Sequence, residues 1–422
     1  MNVKIGKGPL NDGQVRIISS KSDGHRAMIA AALAEEECVL FLEGWNDDLE
    51  ATSRCIEGLG GEVVREPSGT LIVPVPENAA GDTILDCGES GSTLRFLLPV
   101  AGALGRHALF EGKGRLPERP IGILLEEMQQ HGCKASSDHL PVELEGRLTS
   151  GVYTLPGNVS SQFITGLLFA LPLLEGDSEI RLTTDVESKG YIDMTIRTLK
   201  TFNIAVKETE HGWFIPGGQT YHGPRMRMAE GDWSSAAFWL VAGAIHGSIG
   251  CQGLDMESAQ GDKEIVSILE RFGAESKIVM NQVTMTHKEM KGIPIDAAQI
   301  PDLVPILCVA AAAAEGKTEI YNAGRLRIKE SDRLAAMADC MKRIGVEVEE
   351  KPDGIIITGG CNPPEGEIVI DSYGDHRIVM AMAIAAVSLG VEITIEGAEA
   401  VNKSYPSFFA ELTKLGGVVD VL

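Results

Sequence analysis

The distribution of apolar and polar residues along the chain follows a pattern that occurs six times. In each occurrence, one helical stretch is apolar nearly all round and a second is apolar on one face only. Helices without a polar face are buried on every side, whereas amphipathic helices lie at the surface of a core. The predicted buried helices are Ala27–Ala34, Leu94–Leu104, Phe163–Leu174, Ala236–Ile245, Leu303–Ala314 and Ile378–Leu389. The predicted surface helices are Leu49–Leu59, Glu118–His131, Tyr191–Phe202, Lys263–Phe272, Glu330–Ile344 and Tyr405–Leu415.

Each surface helix ends at a glycine or an asparagine. These two residues most readily accept the left-handed backbone conformation that closes a helix just past its last turn. The six positions lie 70 to 72 residues apart and are Gly60, Gly132, Asn203, Gly273, Gly345 and Gly416. Short strands follow the buried helices, for example at Val39–Leu42 and Thr318–Tyr321. The regular spacing predicts six copies of one unit, which divide naturally into two groups of three.

Composition and charge narrow the classes of partner. The 37 basic and 60 acidic residues give a net charge of −23, which argues against nucleic acid or an anionic membrane as the main partner. The cysteines and histidines do not cluster at metal-ligand spacing, so we expect no metal site. We expect a cytoplasmic protein because Met1 is not followed by an apolar signal segment. The longest apolar runs are also shorter than the roughly 20 residues that cross a bilayer.

The starts of the buried helices carry the candidate chemistry. Serine, aspartate and glycine at these positions are ordinary helix caps. Capping does not require a cation in the first turn, where the helix dipole disfavours positive charge. Lys21, Arg26, Arg95 and Arg377 nevertheless lie at these starts. Free backbone amides beside a cation bind phosphate or carboxylate, so several such starts together would bind a polyanion.

Charged residues also occur near three surface helices. Arg119 lies at the predicted start of the second one, and Lys403 lies just before the last one. Lys329 and Arg333 are spaced i, i+4, which places them on one face of a helix, and Glu330 is spaced i, i+3 from Arg333. A solvated, salt-bridged helix face is the commoner meaning of such a run, and the spacing alone favours that interpretation.

Taken together, these stretches resemble the 5-enolpyruvylshikimate-3-phosphate synthase (EPSP synthase) family. The resemblance extends from Ser20 to Pro406. It rests on separated motifs in the family's order: SKSxxxR at 20–26, SGSTLR at 90–95, ERPI at 118–121, SSQF at 160–163, SKxYID at 188–193, IPD at 300–302, KESDR at 329–333, DHR at 375–377 and NKSYP at 402–406.

The resemblance implies an α/β (α+β) fold of two similar domains. Each domain would contain three βαβαββ repeats around buried parallel helices. One domain would comprise residues 14–225 and provide mainly shikimate 3-phosphate contacts. The other would comprise 1–13 with 226–422 and provide the catalytic carboxylates and phosphoenolpyruvate contacts, with the active site in the cleft between the two.

The resemblance also implies a reaction and a set of site residues. The enolpyruvyl group of phosphoenolpyruvate would move to the 5-hydroxyl of shikimate 3-phosphate, releasing phosphate, without a cofactor and in a monomer. The implied catalytic residues are Asp302, Glu330 and Lys21. The implied shikimate 3-phosphate contacts are Lys21, Ser22, Arg26, Ser160, Ser161, Gln162, Ser188, Tyr191, Asp302 and Lys329. The implied phosphoenolpyruvate contacts are Lys21, Gly91, Arg119, Gln162, Arg333, Arg377 and Lys403. The family is also the target of the inhibitor glyphosate.

Two positions depart from the pattern of some members, and two alternatives remain open. Glu89 stands where asparagine is common, and Arg325 stands where an asparagine contacts the shikimate phosphate. UDP-N-acetylglucosamine enolpyruvyl transferases share the fold, but they carry Lys-Asn where this chain has Lys21-Ser22, and a loop cysteine or aspartate near 112–117 that this chain lacks. A non-catalytic repeat scaffold is the second alternative, although a scaffold needs no acid–base pair beside cations.

Overall fold

The computed structural model describes residues 1–76 and 81–422, which form two compact units. One unit is Ser19–Ala229, and the other combines Met1–Ile18 with Glu230–Leu422. Every helix in the described ranges is too short or too polar to span a lipid bilayer.

The Ser19–Ala229 unit contains six α-helices and three four-stranded sheets within its described residues. Its helices are α1 (Lys21–Ala32), α2 (Asp47–Gly58), α3 (Gly91–Leu104), α4 (Gly122–Gln130), α5 (Ser161–Ala170) and α6 (Lys189–Thr201). Its strands are β3 (Cys38–Phe41), β4 (Glu62–Glu66), β5 (Gly69–Val73), β6 (Thr83–Asp86), β7 (Ala108–Glu111), β8 (Cys133–Ala135), β9 (Val142–Gly146), β10 (Val152–Leu155), β11 (Ser178–Leu182), β12 (Lys207–Thr209), β13 (Gly212–Ile215) and β14 (Met226–Met228).

The other unit has the same composition of elements. Its helices are α7 (Trp233–Ile245), α8 (Ile265–Phe272), α9 (Val304–Ala313), α10 (Arg333–Arg343), α11 (His376–Leu389) and α12 (Phe408–Lys414). Its strands are β1 (Asn2–Ile5), β2 (Gly13–Arg16), β15 (Ser248–Gln252), β16 (Glu275–Val279), β17 (Gln282–Thr286), β18 (Pro294–Asp296), β19 (Lys317–Tyr321), β20 (Glu347–Lys351), β21 (Gly354–Thr358), β22 (Val369–Asp371), β23 (Ile393–Glu396) and β24 (Val419–Val421).

All six sheets are built in the same way. In the sheet ordered β6-β7-β9-β8, β6 runs parallel to β7 and is joined to it through α3. After α4, the chain forms the antiparallel hairpin β8–β9, whose second strand pairs with β7. Parallel neighbours need a crossover, and a helix commonly provides it. The predicted βαβαββ unit is therefore confirmed, although the sequence pattern did not locate the strand that precedes each buried helix.

The first strands of the chain complete sheets formed by its second half. β1 pairs with β23 and β24, and β2 runs parallel to β15. Conversely, β14, which lies just before Glu230–Leu422, runs parallel to β3 near the start of the Ser19–Ala229 unit. The chain passes between units at Ile18/Ser19 and Ala229/Glu230, a few residues after the expected division at 13/14 and 225/226. Strand pairing is the reason, because β2 and β14 each belong to the unit of their partner strand.

Each unit has its own hydrophobic core around three buried helices. α1, α3 and α5 contribute to one core, and α7, α9 and α11 contribute to the other. α3 and α5 approach closely at Gly166, where an added Cβ would lie 2.3 Å from the carbonyl oxygen of Arg95. Only glycine permits this approach. The six predicted helix-closing positions also have positive φ, from 61° at Asn203 to 121° at Gly273.

Candidate active site

Asp302 is the centre of a charged cluster in the second unit. It lies in a short 3₁₀ turn, Pro301–Leu303, just before α9. Its Oδ1 accepts from Arg333 Nη1 at 2.8 Å, and its Oδ2 accepts from Arg377 Nη2 at 3.1 Å. Lys329 Nζ lies 3.8 Å from Oδ1. Three cations from two segments of the chain, Lys329 with Arg333 and Arg377, therefore surround one carboxylate.

Arg333 links this carboxylate to two others. It is 1% exposed, and its guanidinium donates to Glu330 Oε2 at 2.7 Å and to Asp375 Oδ2 at 2.7 Å, as well as to Asp302. Asp375 is fully buried, accepts from Ser331 Oγ at 3.0 Å and caps α11 through the amide of Arg377 at 2.9 Å. Arg333 is therefore held in one orientation by acids from three segments.

The ionisation of these groups follows from burial and neighbouring charge. Burial alone would raise the pKa of Asp302, but Arg377, Lys329 and Arg333 outweigh it and hold this pKa well below its usual value. Burial, opposed by Asp302 and assisted by Arg325, lowers the pKa of Lys329 to about 8. Arg325 therefore lies near enough to Lys329 to affect its charge, and it adds positive potential beside the cluster.

The helix predicted to carry Lys329 and Arg333 on one face begins later than expected. α10 starts at Arg333, because Asp332 caps it by accepting from the amide of Ala335 at 3.1 Å. Lys329 is in an extended conformation after a 3₁₀ turn, so the predicted i, i+4 helical face is wrong. The expected pair of Glu330 with Arg333 is present. Lys403 also ends a 3₁₀ turn, and its Nζ donates to the carbonyl of Gly374 at 2.8 Å.

In the Ser19–Ala229 unit, Lys21 and Arg26 lie on α1, which begins at Lys21, six residues before the predicted helix start at Ala27. Lys21 Nζ forms an ion pair of 2.8 Å with Asp48 in the first turn of α2. Arg26 is 2% exposed and donates to Thr195 Oγ1 at 2.9 Å, to the carbonyl of Tyr191 at 2.8 Å and to that of Ser22 at 2.6 Å. Arg26 thus joins α1 to α6, which makes it a structural residue whatever else it binds.

Gln162 and Arg95 connect the starts of α3 and α5. Arg95 Nη1 donates to Gln162 Oε1 at 2.7 Å, and Gln162 Nε2 donates to Ser92 Oγ at 2.9 Å. Gly91 is the first residue of α3, and a Cβ built there would lie 2.7 Å from Nη1 of both Arg119 and Arg95. The missing side chain at Gly91 therefore leaves room for two guanidinium groups. Arg119 itself ends a 3₁₀ turn, and α4 begins only at Gly122, which corrects the helix start expected near Arg119.

The predicted serine contacts lie at helix starts in the same unit. Ser160 caps α5 by accepting from the amide of Gln162 at 3.3 Å, and Ser161 is the buried first residue of that helix. Ser188 precedes α6 with a φ of 56°, a conformation uncommon outside glycine. The predicted site residues therefore fall into two sets, with Asp302, Lys329, Glu330, Arg333, Arg377 and Lys403 in one unit and Lys21, Ser22, Arg26, Gly91, Arg119, Ser160, Ser161, Gln162, Ser188 and Tyr191 in the other.

Sequence reasoning missed the acids that hold these cations. Asp48 and Asp375 were not among the predicted site residues, although each neutralises one of them. Among the described residues, His107, Glu143 and Glu145 have metal-ligating atoms within 4.8 Å of one another. Hydrogen bonds to Asp82 and Glu143 raise the pKa of His107, which favours a protonated ring that pairs with carboxylates over one that binds a metal.

The chain is similar to known proteins over nearly its whole length. A family model described as EPSP synthase (3-phosphoshikimate 1-carboxyvinyltransferase) matches residues 6–412. The chain belongs to the EPSP synthase family. It is 44% identical to a 3-phosphoshikimate 1-carboxyvinyltransferase from Clostridium acetobutylicum, with 96% of each chain covered. It is 43% identical to one from Clostridium kluyveri, with 97% of this chain and 96% of the relative covered.

Solved structures support the same family and fold. EPSP synthase from Acinetobacter baumannii has a TM-score of 0.81 and 27% identity, and both chains are covered completely. The enolpyruvyl transferase NikO from Streptomyces tendae has a TM-score of 0.79 at 16% identity, covering 99% of this chain and 98% of that one. The second likeness concerns the fold alone. The enolpyruvyl transferase fold expected from the EPSP synthase motifs is therefore confirmed.

Proposed function

We propose that the chain transfers the enolpyruvyl group of phosphoenolpyruvate to the 5-hydroxyl of shikimate 3-phosphate. The products are 5-enolpyruvylshikimate 3-phosphate and phosphate, in the biosynthesis of chorismate and the aromatic amino acids. Membership of the EPSP synthase family over nearly the whole chain supports the activity. The observation that carries it is the largely buried carboxylate of Asp302, held among three cations. A proton acceptor beside groups that bind phosphate and carboxylate suits this substrate pair.

The proposed reaction is an addition followed by an elimination. The 5-hydroxyl oxygen bonds to C2 of phosphoenolpyruvate while Asp302 accepts the hydroxyl proton, and C3 gains a proton. The bond from C2 to the phosphate oxygen then breaks, and C3 loses a proton so that the double bond is restored. We assign the proton transfers at C3 to Glu330 and Lys21. No covalent bond to the protein and no cofactor is needed, because the electrons that form and break bonds come from the substrates.

Charge complementarity supports the proposed binding roles. Arg119, Arg333, Arg377 and Lys403 would hold the phosphate and carboxylate of phosphoenolpyruvate, while Lys329 would hold shikimate 3-phosphate. Charge-assisted hydrogen bonds to phosphate and carboxylate are among the strongest that proteins form. Each unit carries only part of the predicted set, so we propose that the substrates contact both sets at once.

A phosphate-release assay tests the function. The protein is mixed with phosphoenolpyruvate and either shikimate 3-phosphate or UDP-N-acetylglucosamine. We expect phosphate release with the first acceptor only. Release with the second would favour the related transferase, and release with neither would favour a non-catalytic scaffold. We further propose a cytoplasmic monomer that binds neither nucleic acid nor membrane, in keeping with the net charge of −23.

A further inference from the structure

A buried carboxyl group outside the Asp302 cluster lies beside it in the same unit. It belongs to Asp262, in the 3₁₀ turn Gly261–Glu264 that precedes α8, and only 3% of this residue is exposed. Neither its sequence neighbourhood nor the proposed mechanism assigns it a role. Its position is fixed from two sides, by the start of α7 and by the segment that leads to Asp302.

Gln260 attaches this turn to α7. Its Oε1 accepts from the amide of Trp233 at 3.0 Å, and its Nε2 donates to the carbonyl of Gly231 at 2.9 Å. On the other side, a Cβ built on Gly261 would lie 3.0 Å from the carbonyl oxygen of Gln299. The turn therefore packs directly against the backbone three residues before Asp302.

The groups that face Asp262 include a neutral hydroxyl, two negative charges and one positive charge. Ser234, in the first turn of α7, donates a hydrogen bond to Asp262 Oδ2. Asp302 and Asp232 contribute negative charge, and Arg377 contributes positive charge. In its own turn, Lys263 directs Nζ to the carbonyls of Ser258 and Met256, at 2.7 and 3.3 Å. Burial and Asp302 raise the pKa of Asp262 to about 7, against the effects of Arg377 and Ser234.

The same arrangement affects Asp302. Three cations around Asp302 stabilise its charged form and make it a weak proton acceptor. A negative charge nearby has the opposite effect, because it favours the protonated form of its neighbour. We propose that Asp262 is a positioning residue for proton transfer: as a carboxylate it strengthens Asp302 as a base, and as a carboxylic acid it leaves Asp302 weak. This inference rests on the proposed function of Asp302.

The pH dependence of kcat/KM tests the proposal, because it reports ionisations of the free enzyme. At each pH, the kcat/KM of wild type is divided by the kcat/KM of Asp262→Asn. This ratio cancels the ionisation of the substrates and of Lys329, which affects both proteins alike. Asparagine imitates the protonated acid, so the ratio should be near one below about pH 6. It should rise about three- to tenfold above about pH 8, through kcat rather than KM. A ratio that does not change with pH would overturn the proposal.

Two further variants separate this effect from a structural one. Glu264→Gln removes the same charge from an exposed position in the same turn, and its ratio should stay near one at every pH. Ser234→Ala keeps Asp262 but removes the hydrogen bond that lowers its pKa. The rise should therefore move to higher pH. An unmoved midpoint in a folded Ser234→Ala protein would contradict the proposed partner. If Asp262→Asn fails to fold, the carboxyl titration below gives the midpoints of wild type and Ser234→Ala directly.

A spectroscopic titration provides a readout without substrates. In protein labelled with ¹³C at aspartate carboxyl groups, one carboxyl resonance should titrate near neutral pH. It should persist in Glu264→Gln and be missing from Asp262→Asn. If no carboxyl group titrates near neutrality, the inference fails whether or not the protein has the proposed activity. A protein that shows the titration but releases no phosphate would instead contradict the proposed function, and with it the catalytic part of the inference.

Discussion

Replacing Asp302 by asparagine separates the proposed proton acceptor from its surroundings. The two side chains have nearly the same shape, so the 3₁₀ turn before α9 should remain. The introduced asparagine has one side-chain oxygen, which can accept from Arg333 or from Arg377 but not well from both. Its amide nitrogen would face the donor groups of the other arginine. The structure therefore predicts the loss of one of two ionic contacts, now 2.8 and 3.1 Å long, and a destabilisation of about 1–3 kcal/mol.

The charge balance predicts opposite effects on binding and turnover. The wild-type cluster has three acids and three cations, namely Asp302, Glu330, Asp375, Arg333, Arg377 and Lys329. Asp302→Asn leaves this cluster with one net positive charge, which favours anionic ligands. Both substrates are anions, so their dissociation constants should be unchanged or lower. Turnover should fall by about 10²–10⁴, the usual effect of removing a positioned acid or base.

Phosphate release and titration calorimetry measure these two effects on the same preparations. Asp296→Asn is the matched control, because it makes the same chemical change at an exposed residue at the end of β18, where Oδ1 can still accept from the amide of Ala298. The control should keep wild-type turnover. If folded Asp302→Asn turned over within about fivefold of wild type, Asp302 would not be the proton acceptor. If turnover fell only because shikimate 3-phosphate no longer bound, the charge argument would be wrong.

Three other predictions follow from individual contacts. Gly91→Ala should raise the phosphoenolpyruvate KM about tenfold and the glyphosate inhibition constant at least as much, because the methyl group displaces Arg119 and Arg95. The shikimate 3-phosphate KM should rise less, because Arg119 is assigned to phosphoenolpyruvate alone. Shikimate 3-phosphate should bind more weakly as pH rises above about 8, because Lys329 loses its proton there. In calorimetric titrations between about pH 7 and pH 10, Lys329→Ala should show no such dependence. Arg26→Met should lower the free energy of unfolding in urea by about 3 kcal/mol, whereas Arg54→Met, at a 46% exposed side chain, should change it by less than about 1 kcal/mol.

Each of these has a contrary result. Equal increases in both substrate KM values would mean that the methyl group at Gly91 disturbs the unit generally. A pH dependence that survives in Lys329→Ala belongs to another group. Equal urea midpoints for the Arg26 and Arg54 variants would mean that the link from α1 to α6 contributes little to stability.

The six repeats could be predicted from the amino-acid sequence because their signals are local. The end of a surface helix depends on whether one residue accepts positive φ, and all six predicted positions do so in the structure. Whether a helix is buried depends on whether it has a polar face. The sequences of the buried helices α1, α3, α5, α7, α9 and α11 show that they have almost none. The EPSP synthase motifs identified Lys329, Arg333 and Arg377, which surround Asp302, whereas charge type alone indicated an anion site only at the helix start of Arg377.

The contacts of those residues depend on how distant segments of the chain pack together. Arg333 and Arg377 follow Asp302 by 31 and 75 positions, and no local pattern shows that both reach its carboxylate. Helix capping at Asp332 decided that Lys329 lies outside α10, against the i, i+4 spacing. Asp262 had no signal at all, since its properties arise from burial, from the negative charge of Asp302 and from the hydrogen bond of Ser234. Pairwise charge and desolvation act through space, so these features appear only once the chain has folded.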